Sequence, residues 1–288
     1  VVEVKGRGLR IAAAAAAAAL LSAACGTVGE ATPSVAAKDG LVIGIYTDQP
    51  GMGLKTGEPE GGYDSYEGFD VRIAKEIARH LKVPAADVTF RKVTSKTREK
   101  LIQSGAVDMV VGTYSITPER KTEVKFAGPY YVAHQDILVR KAESAPIEGL
   151  ADLAGKRLCM VPGSQSFVRV RTEQGVNAVP VEAEGYSDCL GKLIAGDLDA
   201  LSTDDLILAG LAAEAAGKGH YMRLVNAPFS DERYGVGLRQ DDVDGCEAVN
   251  EAITKMYQDG TMRVQLKRWF APSGLDLTTT VPQFEGCI

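Results

Sequence analysis

The stretch that decides the fold is "VVGTYSITPERKTEVKFAGPYY", residues 110–131. An apolar run ends here in three hydroxyl residues, Thr113, Ser115 and Thr117, and then an arginine, Arg120. Thr117 followed by Pro118 reads as a helix start, with threonine as N-cap and proline at the first position. Arg120 then falls in the first turn, where a cation opposes the helix macrodipole. That cost suggests a purpose, the gripping of an anion together with free backbone N–H groups. The planar fork of arginine suits a carboxylate. The alternative is a surface salt bridge to Glu119 or Glu123. In the first reading the partner comes from outside the chain.

Working outward, strands and helices alternate. "LVIGIY" (41–46) is a short apolar strand. "GFDVRIAKEIARHL" (68–81) places Ile73, Ile77 and Leu81 four apart, as an amphipathic helix does. "DVTFRKV" (87–93) alternates like a strand, a helix runs to about Ser104, and "VDMVVG" (107–112) is a strand again. This order implies a mostly parallel sheet covered by helices. The pattern restarts after "YYVAHQDILVRK": helix at 147–154, strand at 155–161, helix at 164–175, strand at 178–183, helix at 186–196, strand at 198–204, helix at 205–217. The last part, 234–270, gives one strand and two helices, too little for a third domain. If it returns to the first unit, the chain crosses twice between two α/β lobes, which makes a hinge.

Ligands of open α/β sheets bind beyond the carboxyl ends of strands. Two more such ends are polar. In "MVPGSQS" the backbone N–H groups of Gly163, Ser164 and Gln165 suit an anion nest; an ordinary serine-capped loop is the alternative. In "LDALSTDD" Asp204 directly follows an apolar strand. A helix N-cap is its default reading; the functional one is a carboxylate aimed at an ammonium group. An anion site and a cation site, one per lobe, match the two charges of an α-amino acid.

The chain opens "VVEVKGRGLRIAAAAAAAALLSAAC". A basic start (Lys5, Arg7, Arg10), a short apolar stretch and small residues are the layout of a secretory signal peptide, expected at 1–24. The apolar run is short of the ~20 residues of a membrane span. The small residues before Cys25 resemble the lipobox of bacterial lipoproteins, so Cys25 is the expected lipidation site. There Leu21 sits four before the cysteine and Ser22 three before, where the apolar residue usually stands. Residues 25–39 read as a flexible tether. The formal net charge is −6, which argues against a nucleic-acid partner. Cys159, Cys189, Cys246 and Cys287 allow three disulfide pairings; local pairing, the first two together and the last two together, is the expectation for an exported chain. His80, His134 and His220 are scattered, so no metal site is expected.

"SITPERKTEVKFAGPYY", "GFDVRIAKEI" and "LDALSTDD", in this order and spacing, resemble the amino-acid-binding family of bacterial solute-binding proteins, receptors of ABC importers. The resemblance covers roughly residues 40–270. It implies a two-lobed periplasmic-binding-protein-like α/β fold (type II), with two mostly parallel sheets hinged by two crossover strands. Lobe 1 would be 40–134 with 229–288, and lobe 2 would be 135–228. Carried over, Arg120 would bind the α-carboxylate, helped by the N–H groups of Ser115 and Gln165. Asp204 would bind the ammonium, helped by the Ser115 hydroxyl and Thr113 carbonyl. "VTSKTREKLIQSGAVD" resembles the glutamate/aspartate-binding branch, where an arginine at Arg98 meets a side-chain carboxylate. "IGIYTDQPGMGLK" resembles it too, but Tyr46 stands where that branch commonly has a cation. Glutamate or aspartate is expected first, glutamine or asparagine second. The chain is expected to be a lipid-anchored monomer outside the cytoplasmic membrane, without cofactor or catalysis, partnered by a permease. The alternatives are a sensor with a membrane signalling partner, or a dehydratase with Glu67 as the acid.

Overall fold

In the computed structural model, which describes residues 1–3, 32–141 and 147–288, the apolar run at 41–46 forms strand β1 (Leu41–Ile45). Cys25 and nearly all of the expected signal peptide lie outside the described residues. The glycine-rich segment that follows β1 builds a small antiparallel sheet of β2 (Asp48–Gln49), β3 (Gly53–Lys55) and β4 (Tyr66–Glu67). Helix α1 (Phe69–His80) buries Phe69, Val71, Ile73, Ala74, Ile77 and Ala78, the face its periodicity predicts. Next come β5 (Val88–Lys92), α2 (Arg98–Gln103), β6 (Met109–Val110) and α3 (Pro118–Glu123). Thr117 caps α3, its hydroxyl accepting from the Arg120 N–H.

Strand β7 (Lys125–Arg140) is long and buried along most of its length. It leads to β8 (Arg157–Met160), α4 (Ser166–Val168) continued by a π-helical turn at Arg169–Glu173, and β9 (Val179–Glu182). Then follow α5 (Tyr186–Ala195), β10 (Leu201–Asp204), α6 (Asp205–Gly217) and β11 (Met222–Leu224). Helix α6 is apolar almost all round and correspondingly buried. Strand β12 (Ser230–Leu238) returns, followed by α7 (Val243–Gln258) and α8 (Thr261–Phe270).

The main sheet has the order β10-β7-β12-β6-β1-β5, with β11 also on β7. Strand β1 is parallel to β5 and β6; β12 is antiparallel to β6 and β7; β10 and β11 are antiparallel to β7. Strands β8 and β9 form a parallel pair, and a Leu158–Ala200 bridge ties β8 to the approach of β10. The sheets are thus more mixed than expected. The two long strands pair with each other as well as with their neighbours, so β5, β1 and β6 at one end and β10 at the other belong to one hydrogen-bonded path. The β7–β12 ladder shifts register between Tyr234 and Val236, opposite Gly128–Tyr130. Pro129 has no N–H to give a ladder, so an interruption there is natural.

Residues Ser34–Ile288 form one compact unit. It begins earlier than the expected tether end at 39. Val35–Ala37 is a 3-10 turn with Val35 buried, and the Val35 N–H donates to Asp242 at the start of α7. Cys159 pairs with Cys189 and Cys246 with Cys287, at Cα separations of 5.8 and 5.7 Å. The first bond ties β8 to α5; the second ties α7 to the C-terminal segment.

Candidate functional site

The polar strand ends converge. One cavity is lined by Tyr46, Ser95, Arg98, Thr113, Ser115, Arg120, Ser164, Gln165, Ser166, Tyr186, Asp204 and Ile207. It encloses about 280 Å³ of empty space, counting what opens to solvent. All eight residues singled out from the sequence line it: Tyr46, Arg98, Thr113, Ser115, Arg120, Ser164, Gln165 and Asp204.

The β6 end is shaped by backbone geometry. Thr113 has φ +37°, an outlier for a β-branched residue. It is held there by its N–H donating to Asp70 Oδ2 (2.9 Å) and its hydroxyl donating to Gln49 Oε1 (3.2 Å). Burial pushes the Asp70 carboxyl up to about 7, against the hydrogen bonds from Tyr130 and Thr113. A bridge between Ser115 and Tyr234 pins the loop to β12.

Arg120 is 7% exposed. The fold supplies it with several partners. Nη1 donates to the Ser115 carbonyl (2.7 Å) and Nη2 to the Gly163 carbonyl (3.0 Å). Its ion pair among the described residues is with Glu99 (3.8 Å), not with Glu119 or Glu123. Burial and the neighbouring Arg98 lower its pKa to about 10, so it remains a cation at neutral pH. The Gly163 bond reaches across from the β5–β1–β6 end of the sheet to the loop after β8. In that loop the Ser164 N–H is taken by the Val161 carbonyl (3.0 Å), so one of the three amides expected to make an anion nest is engaged within the turn.

Arg98 is only 2% exposed. Its guanidinium lies 3.7 Å from the Tyr114 ring centroid, a cation–π contact. It donates to Glu99 Oε1 (3.3 Å) and the Tyr46 hydroxyl (3.3 Å). The Tyr114 hydroxyl donates to the same Glu99 oxygen (2.7 Å). Burial raises the Tyr46 pKa, Arg98 opposing it, and the phenol shares a hydrogen bond with Ser95.

Asp204 closes the opposite wall, 6% exposed. It is indeed the N-cap residue of α6, but its side chain makes no capping bond. It accepts from the Tyr234 hydroxyl (2.6 Å) instead. Burial, followed by the neighbouring Glu232 carboxylate, holds its pKa well above the usual carboxylate range, Tyr234 counteracting. Beside it the Tyr186 hydroxyl bonds Ser164 Oγ (2.7 Å) and Ser166 Oγ (2.9 Å), and Ser166 Oγ donates to Thr203 (2.9 Å).

Ser95, Ser166, Tyr186 and Ile207 line the cavity without having been singled out. Ser95 lies just beyond the carboxyl end of β5, so the strand-end rule that picked Thr113 finds it too. Glu99 and Tyr114 support the two arginines from behind, which tertiary packing alone reveals. Glu67 is exposed on β4 and does not line the cavity.

A family model described as bacterial extracellular solute-binding proteins, family 3, matches residues 41–272. The glutamate-binding protein GluB of Corynebacterium glutamicum is 38% identical over 229 residues, 77% of this chain and 75% of that one. The ABC transporter glutamine-binding protein GlnH of Bacillus subtilis is 35% identical over 262 residues, 87% and 92% of the two chains. Among solved structures, an ancestral arginine-binding protein bound to arginine superposes with a TM-score of 0.70 at 29% identity, covering 81% of this chain and 99% of its own. The fold is therefore the α/β periplasmic-binding-protein fold. These relatives are binding proteins rather than enzymes.

Proposed function

The chain belongs to the bacterial extracellular solute-binding proteins of family 3, and from that premise we propose that it captures a free α-amino acid and delivers it to an ABC transporter permease. One observation carries the reading: Arg120 and Asp204, a buried cation and a buried carboxyl, line the same small polar cavity from opposite ends of the sheet. That matches a zwitterion. In this reading Arg120 forks onto the α-carboxylate, with amides of Ser115 and Gln165 assisting. Asp204 takes the ammonium, helped by the Ser115 hydroxyl and the Thr113 carbonyl. Ser164 and Tyr46 complete the wall.

Lobe 1 (40–134 and 229–288) binds first, and lobe 2 (135–228) closes over the ligand about the β7 and β12 crossings. The closed form is favoured only by contacts made in it. Cys25 carries the lipid that keeps the receptor at the outer face of the cytoplasmic membrane.

Glutamate is the proposed ligand, since Arg98 adds a second buried cation to the cavity. Glutamine is the second reading, favoured by a specific observation: Arg98 already faces Glu99 (3.3 Å), and Tyr46 offers a neutral hydroxyl. Calorimetric titration of all twenty amino acids into protein freed of carried-over ligand tests the proposal. Tight binding of glutamate that is lost in Arg98→Ala is the expected result. Preference for glutamine would move the assignment to the second reading, and no binding by any of the twenty would remove the proposal.

A further inference from the structure

Three glycines from the β8–β10 end of the sheet meet atoms of the other end with no room for a side chain. A Cβ on Gly163 would lie 2.5 Å from the Ser95 carbonyl oxygen. One on Gly185 would overlap the Asp48 carboxylate, and one on Gly210 would overlap the Pro50 carbonyl oxygen. Gly185 has φ −172°, extended backbone open to any residue. Glycine there serves closeness alone.

Gly185 is the N-cap of the ten-residue helix α5 and has no side chain to satisfy the first-turn N–H groups. Asp48, on β2 across the cleft, stands where such a cap would be. Its carboxylate fills the space a Gly185 side chain would enter, and the Ser187 hydroxyl donates to its carbonyl (2.8 Å). Burial raises the Asp48 pKa; Lys92, its own N–H and the Tyr186 N–H oppose this. Asp48 does not line the inner cavity. It lines a wider cleft beside it, with Lys92, Glu184 and Lys192.

We propose that Asp48 is a latch: a positioning residue whose carboxylate caps α5 from the opposite lobe and thereby stabilises the closed form without touching the ligand. The inference rests on the proposed closure around an amino acid. An N-terminal cap that exists only when the lobes meet raises the closed population, and apparent affinity follows that population.

The test uses the full chain with Asp48→Ala, Asp48→Asn and Gly185→Ala. Calorimetry and stopped-flow are run with each amino acid that binds the wild type. Asp48→Ala and Gly185→Ala are expected to weaken every ligand by the same factor, about fivefold to tenfold, through faster release. Asp48→Asn, which keeps a capping oxygen, is expected to stay within about twofold. A loss that differs between glutamate and glutamine would mean direct ligand contact and overturn the latch, as would unchanged affinity in Asp48→Ala. A wild type that binds none of the twenty removes the functional reading separately. The latch is then judged by small-angle scattering, where an equal radius of gyration in wild type and Asp48→Ala overturns it.

Discussion

Arg120 and Asp204 face one cavity at nearly equal burial, and burial with a like-charged neighbour, Arg98 or Glu232, disfavours both charges, but their compensating partners differ. Arg120 donates to two carbonyls, has Glu99 at 3.8 Å, and sits 5.4 Å from the Tyr114 ring centroid. Its pKa falls only to about 10. Asp204 has one hydroxyl donor, Tyr234, and two acidic neighbours, Glu232 and Asp205, and its carboxyl is pushed far up. The cationic wall is built with its charge in place. The anionic wall is built so that its charge is costly until a cation arrives. In the proposed reading, an ammonium group beside Asp204 would offset that cost.

The largest expected effect comes from breaking the cationic wall. Arg120→Ala should weaken ligand binding by about 2–5 kcal/mol, the usual cost of truncating a desolvated charge pair. Arg120→Lys should fail as well, because a point charge does not replace a fork. Calorimetry that finds either variant within threefold of wild type would take Arg120 out of the site.

Next is the anionic wall. If Asp204 sheds a proton as the ammonium binds, affinity should fall as pH is lowered, by up to about tenfold per unit. The binding enthalpy should also vary with the ionisation enthalpy of the buffer. Asp204→Asn should bind at least about tenfold more weakly and lose the pH dependence. A wild-type affinity flat with pH would contradict the comparison.

Arg98→Ala should act more selectively. Glutamate should lose more affinity than glutamine, by roughly tenfold for one lost charge-assisted contact. Equal losses would mean that Arg98 serves through Tyr114 and Glu99 alone.

The last effect concerns stability rather than binding. Asp70 keeps its proton in the folded protein up to about pH 7, whereas an unfolded aspartate releases it near ~4. Between those values the folded state binds more protons, so stability should fall as pH rises through the window. Asp70→Asn, which retains an acceptor for the Thr113 N–H, should flatten that slope in chemical denaturation.

Much of this was legible in the residues. Apolar runs and four-residue periodicity located β1, α1, β5, β8, α5 and β10, because each is long enough to show its period. The β2–β4 sheet was not legible: strands of two and three residues inside a glycine-rich segment carry no pattern. The length of β7 was hidden by Gly128–Pro129, which reads as a break. Within the site, Thr113 and Asp204 stood out because each lies at a strand end, and Arg120 because a cation in the first turn of a helix opposes its dipole. The partners of Arg120 did not. Glu99 and the Gly163 carbonyl reach it only through tertiary packing, one from α2 and one from the far end of the sheet.

The most direct measurement deletes charges from the ligand rather than from the protein. The best-binding amino acid from the screen is titrated alongside its analogue lacking the α-carboxylate and its analogue lacking the α-amine; for glutamate these are 4-aminobutanoate and pentanedioate. If Arg120 and Asp204 clamp the two α-groups, both analogues should lose at least about a hundredfold in affinity. An analogue that binds within about threefold of the parent would show that the clamp is not what holds the ligand.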